Sequence, residues 1–191
     1  AQTDVGGWWR PALWPHAGTA RANVANQTTS VTFALTNDTA GSVAINDTGA
    51  VNFSGANTFL GGAVTLNNTS VTITVNAPLS STGAGDITLL TLTSGSIAVN
   101  STITSGRNVI LTDAAGGNIT SMAAGIITAM GGTGTLTLTS HGGIALANVA
   151  NQTNAGTIAF TNDTAGAVAI TNTGAVNCRG AKTFLGGAVT L

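Results

Sequence analysis

The chain has 191 residues with five Lys or Arg, six Asp and no Glu, for a formal net charge of -1. That balance excludes the clustered cations of a nucleic-acid or membrane-surface footprint, and it excludes an acidic tail. Yet 43% of residues are hydrophobic, too many for a disordered chain, so Thr, Asn, Ser and 26 Gly must build the surface in place of charge.

Residues 1–21 stand apart from the rest of the chain. They hold Trp8, Trp9, Trp14, Pro11, Pro15 and His16. The plain expectation is a leader or an N-terminal cap over an open apolar end. A binding surface on Trp8, Trp9 and Trp14 is the alternative, since clustered aromatics mark interaction sites. A segment foreign to the repeats is the third reading, because the join to them at Arg21 is abrupt.

From residue 22 onward apolar and polar residues alternate in short runs. These are VTFAL (31–35), AVNF (50–53), AVTL (63–66), VTITV (71–75), ITLLTL (87–92), VILT (109–112), TLTLT (135–139) and TIAFT (157–161). Runs of this length suit strands and are too short for helices. Gly, Asn, Asp and Ser punctuate them in NDTAG, DTG, LGG, STGAG, TSG, AAGG and GGTG. No stretch is long and apolar enough for a transmembrane helix. Equivalent runs recur every 21–26 residues, the length of one solenoid coil, which predicts eight or nine coils. At about 4.8 Å per parallel strand the rod is then on the order of 40 Å long.

A second periodicity is longer. Residues 22–66 and 147–191 align without a gap at an offset of 125, identical at 34 of 45 positions. Sandwiches also use short strands, but they rarely repeat their own sequence so closely. Stacked coils bury their apolar faces against neighbours and set Asn on Asn in ladders. The two segments are therefore expected to superpose after a shift of 125 residues. The expected fold is all-β, a parallel β-helix over residues 22–191.

The run GAGDITLLTLTSGSIAVNSTITSGRNVILTDAAGGNIT (83–120) resembles the repeats of the filamentous-haemagglutinin family of bacterial exoproteins. The run FSGANTFLGGAVTL (53–66) is similar to passenger-domain repeats of autotransporter-type adhesins. The resemblance implies a right-handed parallel β-helix, export across a Gram-negative outer membrane and service as an extended fibre on the cell surface. It departs from the family in having no NPN-type secretion motif and no C-terminal barrel in this chain.

No motif for catalysis, metal or cofactor emerges. Asp38, Asp47, Asp86, Asp113 and Asp163 are scattered; Asp38 and Asp163 are copies of one TNDTAG turn and read as Asx-turn residues. His16 and His141 have no second His, Cys or Glu at ligand spacing. Ser and Thr lack a GxSxG elbow or a partner base, GGTG lacks the GK[ST] of a phosphate loop, and the calcium nonapeptide is absent. Cys178 has no partner for an internal disulfide and reads as a small buried hydrophobe. Sequons at Asn26, Asn37, Asn46, Asn67, Asn68, Asn100, Asn118, Asn151 and Asn162 follow from an Asn- and Thr-rich composition.

Thr-x-Thr pairs raise an ice-binding alternative, at Thr72/Thr74, Thr91/Thr93, Thr102/Thr104 and Thr133 to Thr139. Their spacings of 19, 11 and 31 residues keep them from stacking in one register. The sequence thus points to a non-catalytic structural or adhesive fibre segment, secreted to the bacterial surface. Its partners would be host-cell, matrix or neighbouring-fibre surfaces. Ice binding, carbohydrate binding and a polysaccharide-degrading β-helix enzyme are the alternatives. The final block TFLGGAVTL repeats 58–66, where the chain runs on into a further strand; this predicts a piece of a longer array or end-to-end self-association into filaments.

Overall fold

The structure is a computed structural model that describes residues 20–23, 31–37, 40–69, 71–113, 116–179 and 183–191. Residues 1–19, with Trp8, Trp9, Trp14 and His16, lie outside the described residues, as does Asp38. Strands of two to six residues pair in parallel throughout and build three sheets. Face A runs through eight strands from Ala20–Asn23 and Val43–Asp47 to Thr183–Phe184. Face B has eight, from Val31–Phe33 to Val189–Thr190, and face C six, from Thr36–Asn37 to Thr153–Asn154. The chain crosses A, B and C in turn, so the fold is a parallel β-solenoid.

Six coils cross all three faces, and in a seventh face C narrows to the bridge between Thr153 and Asn172. Two strands of an eighth follow. The expected eight or nine coils thus become about seven among the described residues. Longer corners account for part of this. Val109 to Leu136 takes 27 residues per coil, where Val43 to Val64 takes 21. The longer coil includes the single turn of 3-10 helix Met130–Gly132.

Registration makes the core. Val43, Val64, Ile87, Val109, Leu136 and Ile158 stack in one buried column on face A. Ile45, Leu66, Leu89, Leu111, Leu138 and Phe160 form the next. Face B adds Val51, Ile73, Ile97, Ile119, Ile144 and Val168. Burying each such side chain stabilises by about 1.5–3 kcal/mol, and each coil supplies several.

Corners are built by polar side chains turned inward. Asp47, Asn68 and Thr91 are stacked where face A meets face B. Asp113 takes the same place one residue past Thr112, and Ser140 pairs with Asn162. All six are buried. Four of them donate to corner carbonyls: Asn68 to Gly49 at 2.7 Å, Thr91 to Gly95 at 3.2 Å, Ser140 to Gly143 at 2.8 Å and Asn162 to Gly166 at 2.5 Å. A turn buried inside a stack must satisfy its own backbone, and a short polar residue at the bend does so. Glycines line the same corner. A Cβ on Gly117 would meet the carbonyl of Gly95, and one on Gly166 that of Gly142.

The long repeat does not superpose as expected. Val43–Asp47 lies on face A, but its copy Val168–Ile170 lies on face B. Copies of Asn57–Phe59 on face C and Val64–Asn68 on face A likewise move on, to Thr183–Phe184 on A and Val189–Thr190 on B. Val43 to Ile158 spans five coils and 115 residues, and ten more carry the chain round to the next face. The offset of 125 is five coils plus one face. Alternation survives this shift, since a strand has the same inward residues on any face: Leu35 and Asn37 are buried, and so are their copies Phe160 and Asn162.

Candidate functional site

Most charged side chains of the described residues stand alone or on the two ends of face A. At its start, Asp86 accepts from the amide and side chain of Asn108 at 3.1 and 3.0 Å, with the Arg107 Nε 3.7 Å away. Asn108 in turn accepts from the Thr135 amide at 3.0 Å. This relay ties three coils by neutral and charged hydrogen bonds, with Arg107 more than half exposed. It is a scaffold contact of the exposed kind that contributes little per pair.

The far end of face A is different. Asp113, His141 and Asp163 sit on three successive coils, 28 and 22 residues apart, and their side chains meet. The His141 amide donates to Asp113 Oδ1 at 2.9 Å, and its ring Nδ1 lies 2.7 Å from the Asp113 carbonyl oxygen. Ring Nε2 stands 3.1 Å from Asp163 Oδ2, and Nδ1 is 3.8 Å from Asp113 Oδ1. Asp113 is fully buried, while the His141 and Asp163 side chains are 32% and 43% exposed. Burial pushes the Asp113 carboxyl up. The Ser140 hydroxyl, the His141 amide and the His141 charge act against that rise, and the Asp163 charge adds to it.

The chemistry open to this cluster comes from strand geometry. Ser140 and His141 are adjacent, so they point to opposite sides of the wall. The Ser140 hydroxyl is buried against Gly143, and the ring of His141 faces outward to Asp163. A serine nucleophile needs its base within hydrogen-bond reach, and this pair lacks it. No group of three His, Cys, Asp or Glu that could hold a metal ion exists among the described residues. What the cluster offers is a ring held between two acceptors on neighbouring coils, the Asp113 carbonyl oxygen at 2.7 Å and Asp163 Oδ2 at 3.1 Å.

Asp163 was expected to cap its own turn. The preceding residue does that instead: Asn162 bonds Gly166, as Asn37 in the first copy bonds Gly41 at 2.7 Å. Asp163 is thereby free to reach His141. The spacing rules of sequence motifs missed this cluster because its members are one coil apart. A search for Asp and His separated by the 21–27 residues of a coil or close to it is the signal that finds it.

Asp47 is the other buried carboxyl. Neither of its oxygens makes a well-formed hydrogen bond. Burial raises it above the usual carboxylate range, and the Thr48 and Gly49 amides beside it offset part of the rise. Cys178 is half-buried rather than buried, on the face-A pass where its copy Phe53 is fully enclosed on face B. Among the sequons, Asn37, Asn68 and Asn162 are buried in the corners, while Asn46, Asn118 and Asn151 are exposed.

The named Thr pairs fall on different walls, as their spacing required. Thr74 is on face B, Thr91 is inside the A–B corner, Thr104 is on face C, and Thr135, Thr137 and Thr139 are on face A. Face C nevertheless carries one continuous outward row, Thr36, Thr58, Ser80, Thr104, Thr128 and Asn154, in register over six coils. Amide ladders also climb the outside, with Asn100 donating to Asn76 at 2.8 Å and Asn76 to Asn52 at 2.8 Å.

No family model, no curated protein and no solved structure matches this chain.

Proposed function

We propose that the chain is a structural and adhesive segment of an extracellular bacterial fibre and that it catalyses no reaction. The observation that carries this reading is the parallel stacking of coil on coil, with like apolar side chains in register along faces A and B, which makes a rod. Its outside is uncharged over long stretches and rich in hydroxyl and amide groups. Such a surface presents many equivalent weak hydrogen-bonding groups, which suits contact with cell, matrix or fibre surfaces through many sites at once. Retention of the purified chain on cultured-cell, matrix and polysaccharide surfaces, read by surface plasmon resonance, tests it. Binding to none of them would sink the adhesive reading. Turnover of a polysaccharide that is lost in His141→Ala would sink the non-catalytic one. Antibody labelling of intact producing cells tests the surface location.

The hydroxyl row of face C favours one second reading, ordering of water or ice. Its members repeat at the strand spacing of about 4.8 Å, and no charge interrupts the row. It is a single file rather than the paired rows expected of Thr-x-Thr. Thermal hysteresis in solution, abolished by Thr104→Leu with Thr128→Leu, would favour this reading; its absence would remove it.

A further inference from the structure

We propose that His141 is a proton-operated latch that fastens three consecutive coils when both of its ring nitrogens carry hydrogen. The warrant is the identity of its two neighbours. The Asp113 carbonyl oxygen at 2.7 Å only accepts, which assigns a hydrogen to Nδ1. The Asp163 carboxylate oxygen at 3.1 Å also only accepts when ionised. A neutral imidazole owns one N–H and satisfies one of the two. The imidazolium satisfies both, and closing the latch takes one proton from solvent.

The surroundings add to this. Asp113 Oδ2 and Asp163 Oδ1 are buried without a hydrogen bond, so the ring stands between two carboxylates with uncompensated oxygens. A positive ring offsets that negative charge. A neutral ring turns a nitrogen lone pair toward the lone pairs of Asp163, and the corner is pushed open. Charged groups reach His141 from the coil before it, through Asp113, and from the coil after it, through Asp163. On its own coil the flanking residues are Ser140 and Gly142, both neutral. Arg107 and Asp86 pair with each other at the opposite end of the face-A strands.

The latch is local. At the corresponding place in earlier coils, one residue past the inward polar column, stand Thr48, Thr69 and Leu92, none of which titrates. Acid therefore tightens the coils around 109–170 and leaves 71–81, which carries no titratable side chain, as it was. This inference is independent of what the rod adheres to.

Hydrogen exchange of the whole chain at pH 5.5 and pH 8, corrected for intrinsic rates, reads the effect coil by coil. The expected result is about three- to tenfold greater protection at pH 5.5 in peptides covering 109–112, 135–146 and 157–170, with no such gain in 71–81, which lacks any titratable side chain. Both His141→Gln and Asp163→Asn should abolish the gain. Asp163→Asn keeps a polar side chain that can donate to a neutral ring, so the corner stays closed at both pH values. The rise in melting temperature from pH 8 to pH 5.5 should be about 1–4 °C larger in the unaltered chain than in His141→Gln. Equal protection at both pH values in the unaltered chain would overturn the proposal. So would a pH gain in 135–146 and 157–170 that survives His141→Gln, which would assign it to another group such as the buried Asp113.

Discussion

Asp47 and Asn172 hold the same place in the long repeat, yet one is a buried carboxyl with no well-formed hydrogen bond and the other is an amide bonded on both sides. Asn172 accepts from the Ala155 amide at 3.0 Å and donates to the Ala155 carbonyl at 3.1 Å. Directly above Asp47 in the stack, Asn68 also bonds as donor and acceptor. The inward corner position accommodates an amide better than a charge.

Asp47→Asn should therefore stabilise the chain at pH 7, by about 1–2 kcal/mol, the scale of one buried unsatisfied polar group. Burial holds the folded carboxyl above its unfolded value of 3.8, so the folded state binds protons more readily than the unfolded one. The unaltered chain then gains stability as pH falls from the folded value toward 3.8. The advantage of the variant should shrink over that same window. Urea unfolding at pH 7 and about pH 4, close to the unfolded carboxylate value, checks both the sign and its decline.

Gly117→Ala should be strongly unfavourable although it adds one methyl group. The new Cβ would overlap the backbone carbonyl of Gly95 in the coil before it, and backbone cannot swing aside as a long side chain can. A cost of about 1–3 kcal/mol or more is expected from overpacking. Gly131→Ala is the control for crowding, since a Cβ there meets nothing within 4 Å; its own cost is that of a positive φ alone. Thermal unfolding of the pair separates the two effects.

Neighbouring residues on one strand should respond in opposite ways. Leu111→Ala empties a buried column and should cost about 2–5 kcal/mol. Ile110 faces outward between Thr88 and Thr137, so Ile110→Thr should change stability by less than about 1 kcal/mol. A reversed order would mean that the register is wrong by one residue.

Asn162→Ala removes the bond to Gly166 and should cost about 1–3 kcal/mol, because it strands a buried corner carbonyl. Asp163→Ala should cost less at pH 8, where it removes only a partly exposed carboxylate. Denaturant midpoints of the two variants rank the roles directly.

The fold was legible where strands are long enough to alternate. Thr135–Ser140 and Thr157–Asn162 show two or three inward apolar or small residues each. Face C was not legible. Its strands have two or three residues, and their inward positions include Asn57, Ser81, Ser105 and Thr153. Nor could the sequence place its long repeat on a face. Inward and outward alternation is identical on all three walls, and the wall a segment reaches depends on every corner length before it. The cluster at His141 was hidden for a related reason: its partners are neighbours across coils, and spacing rules for loops and helices do not look that far.

The one-face offset of the repeat has a consequence for valency. The two Val-Ala-Ile blocks, Val43–Ile45 and Val168–Ile170, are five coils apart, or about 24 Å along the axis at the parallel-strand spacing. Their outward-facing residues, Ala44 and Ala169, look in different directions. A rigid two-armed receptor specific for that block cannot engage both copies by sliding along the rod; it has to reach around it. Avidity is then set by the swing of the receptor's hinge more than by its span, and repetition of sequence gives this rod several addresses rather than one address written twice.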